Sequence, residues 1–127
     1  MLNAATPMGF LAVSDFGAAR RFYEGVLGLE FVADDGFALV LRSGPILVRL
    51  TVPPERVAAG YTVFGWQVSD ITSEVAILGA KGIAFEHYPF FGESQSPDGI
   101  WTAPGGDKVA WFKDPDGNLL SLSQHVA

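Results

Sequence analysis

Residues 64–70 read FGWQVSD and residues 10–15 read FLAVSD, so an apolar stretch running into Val-Ser-Asp occurs twice, with Asp15 and Asp70 55 residues apart. The residues after each Asp repeat as well. Ser14 or Asp15, and Ser69 or Asp70, are side chains able to accept hydrogen bonds from the first free N–H groups of a helix. Behind the first pair come Phe16, Ala19, Phe22 and Val26, and behind the second Ile71, Val75 and Leu78, at the spacing of one buried helical stripe. Gly28 and Gly82 suit the left-handed residue past a helix end, and each is followed by a strand opener, Leu29-Glu30-Phe31 and Ile83-Ala84-Phe85.

Working outward, short strands precede each Asp at residues 9–13 and 62–68. Two more come later in the first half, residues 37–41 and 45–52, across a turn at Ser43-Gly44. Their counterparts are residues 108–113 and 118–124, joined by Asp114-Pro115-Asp116-Gly117. The internal repeat therefore predicts an α+β fold of two βαβββ modules, about residues 8–52 and 62–125, within one domain of 127 residues. Pro53 and Pro54 stop the strand that ends the first module. Residues 87–106 are rich in Gly and Pro with little periodicity, which fits either a loop over a cavity or an idle surface excursion.

Composition narrows the function classes. Hydrophobic residues make up 49% and charged residues 17%, a balance that suits a globular interior. No apolar run reaches the roughly 20 residues of a membrane span, so no membrane partner is expected. A formal charge of −6 and eight scattered Lys and Arg residues repel a phosphate backbone, which argues against nucleic acid. Without Cys there is no disulfide framework and no thiolate zinc site, and with no leader-like N-terminal pattern the expected location is the cytoplasm.

Four stretches carry a family likeness: FLAVSD at residues 10–15, ARRFYEGVLGLEF at 19–31, FGWQVSD at 64–70 and VAWFKDPDGNLLSL at 109–122. Together they resemble the glyoxalase / bleomycin-resistance / dioxygenase (vicinal oxygen chelate) superfamily. The resemblance implies a sheet-walled cavity with helices on the outer faces, and a homodimer. In metal-dependent members the ligands are mainly His and Glu, with Gln in some, on the first and fourth strands of each module. Carried over, those positions are Met8 and Val63, each seven residues before its Asp, with Arg49 and Ser121 on the last strands. A thioether, an isopropyl group, a guanidinium and an alcohol do not hold a hard divalent ion, so neither metal nor cofactor is expected.

Strand alternation checks the register independently. Arg49 and Thr51 share one face of their strand while Ile46, Val48, Leu50 and Val52 share the other, and Leu120 and Leu122 oppose Ser121 and Ser123. The same logic turns Phe10 and Gln67 towards the polar face. Arg49 suits a carboxylate or phosphate, or an internal ion pair with one of the 14 acids. Trp111 and Phe10 suit stacking on a flat ligand, or core packing; Thr51, Gln67, Ser121 and Ser123 suit directional hydrogen bonds, or mutual satisfaction. The candidate ligand-binding set is thus Arg49, Trp111, Phe10, Thr51, Gln67, Ser121, Ser123, Met8 and Val63. His87 and His125, the two imidazoles, lie outside it.

These residues support three functional readings. The first is a metal-free binding protein for a small anionic or aromatic molecule. The second is a metal-independent lyase or isomerase with Arg49 steadying an oxyanion and His87 or Glu86 as base. The third is a metal-dependent glyoxalase or dioxygenase, which the four ligand positions disfavour.

Overall fold

The computed structural model describes residues 1–126. The chain divides into two compact units, the first Met1–Ala58 and the second beginning at Ala59. The first holds β1 (Met8–Ala12), α1 (Phe16–Arg20), β2 (Glu30–Asp34), β3 (Leu39–Ser43) and β4 (Ile46–Thr51). The second holds β5 (Phe64–Gln67), α2 (Ile71–Ala80), β6 (Trp101–Thr102), β7 (Lys108–Lys113) and β8 (Leu119–Gln124). Their sheets run β1-β4-β3-β2 and β5-β8-β7-β6, so both units are βαβββ and the fold is α+β, as the repeat predicts. In each, first and last strands pair in parallel and the remaining neighbours are antiparallel.

Parallel neighbours need a crossover, and the capped helices supply it. Asp15 accepts from the Ala18 N–H at 2.7 Å and Asp70 from the Ser73 N–H at 3.2 Å, while Gln124 reaches over from β8 to accept the Ile71 N–H at 2.8 Å. Gly28 and Gly82 take the positive φ that ends each helical segment. One face of each sheet is closed by its helix. Leu11, Leu39, Leu41, Val48 and Leu50 are buried with Ala19 and Tyr23 in the first unit; Ala110, Phe112, Leu120 and Leu122 are buried with Ile71, Val75 and Leu78 in the second. Phe112 also meets Phe85 edge-on at 5.6 Å and stacks on Trp66 at 6.4 Å.

Three local expectations change. The first helix is α-helical only to Arg20 and continues as a π-helical stretch, Arg21–Val26, in which the Leu27 N–H donates to the Phe22 carbonyl. This wider turn rotates the chain so that Tyr23, not its neighbour Phe22, becomes the fully buried ring. The strand expected to open at Ile83-Ala84-Phe85 does not form. Instead the outer edge of β7 is divided: the Glu86 N–H donates to the Trp111 carbonyl at one end, and β6 pairs with Lys108 and Val109 at the other. That places a strand inside the segment whose composition reads as loop. Its order comes from Gln95, whose side chain accepts from the Tyr88 N–H and donates to the carbonyls of Glu86 and Gly99.

The turn at Asp114 is the tightest polar knot. Its buried carboxylate accepts from the N–H groups of Asp116 (2.9 Å) and Asn118 (2.8 Å) and from the Asn118 side-chain amide (2.8 Å), with Gly117 at φ 83°. Replacing Asp114 with Ala strands those donors, and thermal or denaturant unfolding is expected to show a loss of about 1–3 kcal/mol. Gly65 is equally constrained, because a Cβ there would stand 2.6 Å from Ser121 Oγ and 2.9 Å from the Ser121 carbonyl oxygen. Gly65→Val is expected to cost at least the roughly 1–3 kcal/mol of an overpacked site by the same measurement. The Asp70 carboxyl is held below its ordinary value of 3.8, first by the Ser73 N–H and then by the Ser73 hydroxyl. A carboxyl lowered on folding stabilises above its unfolded pKa and loses that contribution as pH falls through the folded one. The melting-temperature gap between wild type and Asp70→Ala is therefore expected to be constant near neutrality and to close below about pH 4.

Candidate functional site

The helix-free face of the second sheet collects most of the polar candidates. Register places Ser121 between Gly65 and Trp111, and Ser123 between Gln67 and Val109, with Trp101 beyond Val109. Directly paired residues project to the same side of a sheet, so these form two cross-strand rows. Because Gly65 has no side chain, nothing on β5 covers Ser121 Oγ from that side. Gln67 is exposed, and among the described residues neither its side-chain amide nor the Ser121 hydroxyl makes a hydrogen bond.

Ser123 is engaged. His125, two residues on, places Nε2 3.0 Å from Ser123 Oγ and Nδ1 3.0 Å from the Asp107 carboxylate. Asp107 also accepts the Val126 N–H at 2.9 Å, and that bond, joined by the one from His125, holds its carboxyl below the ordinary range. His125 lies beyond the family's ligand positions, and sequence reasoning misses it for that reason. The available signal is its i+2 spacing from Ser123, which keeps both side chains on one face of an extended strand. Asp107 has no such signal, since only the β7–β8 pairing carries it there.

Trp111 sits in a ring cluster. It meets Tyr88 edge-on at 5.4 Å, Phe91 nearly parallel at 5.6 Å and Trp101 at 6.1 Å, while Phe91 also stacks on Trp101 at 4.7 Å. Phe90 stacks on Tyr88 at 5.6 Å and is exposed. Burial pushes the Tyr88 hydroxyl above its usual pKa, with the nearby Glu86 carboxylate adding to the shift. His87 is exposed, its Nε2 3.0 Å from the Pro97 carbonyl oxygen, and Glu86 pairs with Lys113 at 3.2 Å.

In the first unit the helix-free face carries Phe10, Arg49 and Val40 as one row, with Thr51 beside Ala12 and Met8 beside Leu47. Phe10 is 66% exposed and Met8 45%. Arg49 Nη2 donates to Asp35 at 3.0 Å. Asp35 is itself fixed by the N–H groups of Phe37 and Ala38, which lower its pKa most, with Arg49 contributing next. The turn residues Asp34-Asp35-Gly36 could have pointed to this partner, but nothing in spacing says which acid Arg49 selects.

Of the four positions expected from the resemblance, Met8 lies on β1, Arg49 on β4 and Ser121 on β8, while Val63 is one residue ahead of β5 and donates its N–H to the Leu119 carbonyl. Met8, Val63, Arg49 and Ser121 offer no set of hard anionic or imidazole donors, and among the described residues no three His, Cys, Asp or Glu side chains come together as a metal-holding group. These residues do not fit a divalent ion.

No curated protein sequence matches the chain. Solved structures do. A member of the superfamily from Sphaerobacter thermophilus DSM 20745 superposes with a TM-score of 0.76 at 22% identity, covering 98% of this chain and 100% of that one. TnmS3, an antibiotic binding protein from Streptomyces sp. CB03234, gives 0.74 at 22% identity with 99% of each chain covered. Lactoylglutathione lyase from Agrobacterium tumefaciens gives 0.71 at 21%, covering 95% of this chain and 93% of that one. At such identities the likeness is one of fold. Residues 5–122 match the family model for the Glyoxalase/Bleomycin resistance protein/Dioxygenase superfamily, and it is to this superfamily that the chain belongs.

Proposed function

We propose that the chain is a small-molecule binding protein that takes an anionic or aromatic ligand without a divalent metal. One observation carries the reading: where metal-dependent relatives place ligands, this chain has a thioether, an isopropyl group, a guanidinium and a hydroxyl. A guanidinium has five N–H donors in a planar fork, and Asp35 takes a contact at one nitrogen of Arg49. The remaining donors suit a carboxylate, which the fork grips through two parallel bonds. Phe10, two-thirds exposed beside Arg49 in the same row, supplies an apolar surface for the body of such a ligand. The antibiotic-binding function of the similar TnmS3 is in keeping with this reading.

Thermal shift with benzoate, 4-hydroxybenzoate and a panel of planar antibiotics tests it. At about 100 times the dissociation constant a ligand adds about 2.7 kcal/mol of stability, a rise of several degrees. Arg49→Met is expected to abolish the shift from the carboxylates and spare that from neutral aromatics. No shift from any probe, together with stoichiometric tight binding of iron, nickel or zinc to the purified protein, would sink the proposal.

A further inference from the structure

Ser123, His125 and Asp107 stand in the order that activates a serine, and we propose that they form a nucleophilic site that hydrolyses small uncharged carboxylate esters. This goes beyond binding and uses residues that the ligand-positioning role of Arg49 does not touch.

The tautomer is set by the partners. A carboxylate only accepts, so the Asp107 contact at 3.0 Å requires the proton on Nδ1 of neutral His125, and Nε2 is left with its lone pair towards Ser123 Oγ, also at 3.0 Å. Asp107 is a positioning residue. It is itself held by the Val126 N–H, and the two bonds together keep it in the acceptor state the relay needs. Orientation on both sides of the imidazole distinguishes this arrangement from a histidine that merely touches a serine.

The surroundings suit an ester. On one side of Ser123 lies Gln67, exposed and with its amide N–H groups unused among the described residues; on the other lies Val109, with Trp101 next to it. An acyl chain laid over Val109 turns its carbonyl oxygen towards the Gln67 amide, which donates to the developing oxyanion. The side chains of His125 and Asp107 are 47% and 41% exposed, so the site is open and a leaving alcohol of any size departs into water.

In the first step Ser123 Oγ bonds to the carbonyl carbon as its proton passes to His125 Nε2, and the carbonyl electron pair moves to oxygen. Collapse breaks the bond to the alcohol oxygen, which takes the proton from Nε2 and leaves an acylated serine. Water then attacks the acyl carbon, giving a proton to Nε2. The bond to Oγ breaks, and Ser123 recovers that proton as the acid departs. The balance is ester plus water to acid plus alcohol.

Two measurements on the full chain decide the matter. A fluorophosphonate probe followed by peptide mass spectrometry is expected to modify Ser123, with labelling lost in Ser123→Ala and His125→Gln. Hydrolysis of p-nitrophenyl acetate is expected to fall roughly 10²-fold or more in both variants. Asp107→Asn, which keeps an acceptor for the Val126 N–H, is expected to lower kcat with KM unchanged and to slow labelling of Ser123, while its thermal unfolding transition shows that the protein is still folded at the assay temperature. Should the wild-type protein take no label at Ser123 and hydrolyse the ester no faster than Ser123→Ala, the relay is only a structural hydrogen-bond chain. The thermal shift of the wild-type protein with benzoate is read separately from ester hydrolysis and labelling, so the binding proposal and this one can fail independently of each other.

Discussion

Parallel pairing of the first and last strand of each module is the constraint on which everything else rests. It forces a helical crossover onto one face, and that helix takes the apolar half of the pleat with it. Val48 and Leu50, Leu120 and Leu122 are buried as a direct result, and Arg49, Thr51, Ser121 and Ser123 are left on the other side. A slip of one residue would exchange these sets and bury a guanidinium against a helix. The polar face is therefore dictated by the same hydrophobic burial that holds the fold together.

On that frame, aspartates do three different jobs with one chemistry. Asp114 closes a turn, its buried carboxylate accepting the Asp116 and Asn118 N–H groups. Asp35 also fixes a turn, through Phe37 and Ala38, yet keeps an oxygen for Arg49 and so sets where that cation sits. Asp107 accepts one backbone N–H and one imidazole, which ties the end of β8 to the start of β7. For Asp35 and Asp107 the local backbone anchor leaves a carboxylate oxygen for a side chain, and the identity of that partner is a tertiary matter.

Aromatic residues show a similar division. Phe85, Trp66 and Phe112 join the helix-side core of the second unit, whereas Tyr88, Phe91, Trp101 and Trp111 gather beside β6. This cluster packs beside the Gln95 hydrogen bonds that order a segment whose composition alone reads as loop. Two-residue β6 exists because Trp101 and Thr102 find the free edge of β7, not because either residue lies in a periodic run.

Much was legible in advance, and for a physical reason. Binary patterning, caps and turn residues act over a few positions, so the repeat around Asp15 and Asp70, the helix-ending Gly28 and Gly82 and the Asp114 turn could be read from neighbours alone. They determined the α+β class, both βαβββ modules and the face to which Arg49, Gln67, Ser121 and Ser123 belong. Only the tertiary structure decided that Tyr23 replaces Phe22 in the core, that β6 lies at Trp101–Thr102, that Arg49 pairs with Asp35 and that Asp107 meets His125. Each of those depends on strand pairing or on one widened helical turn, and such geometry leaves no period in the chain.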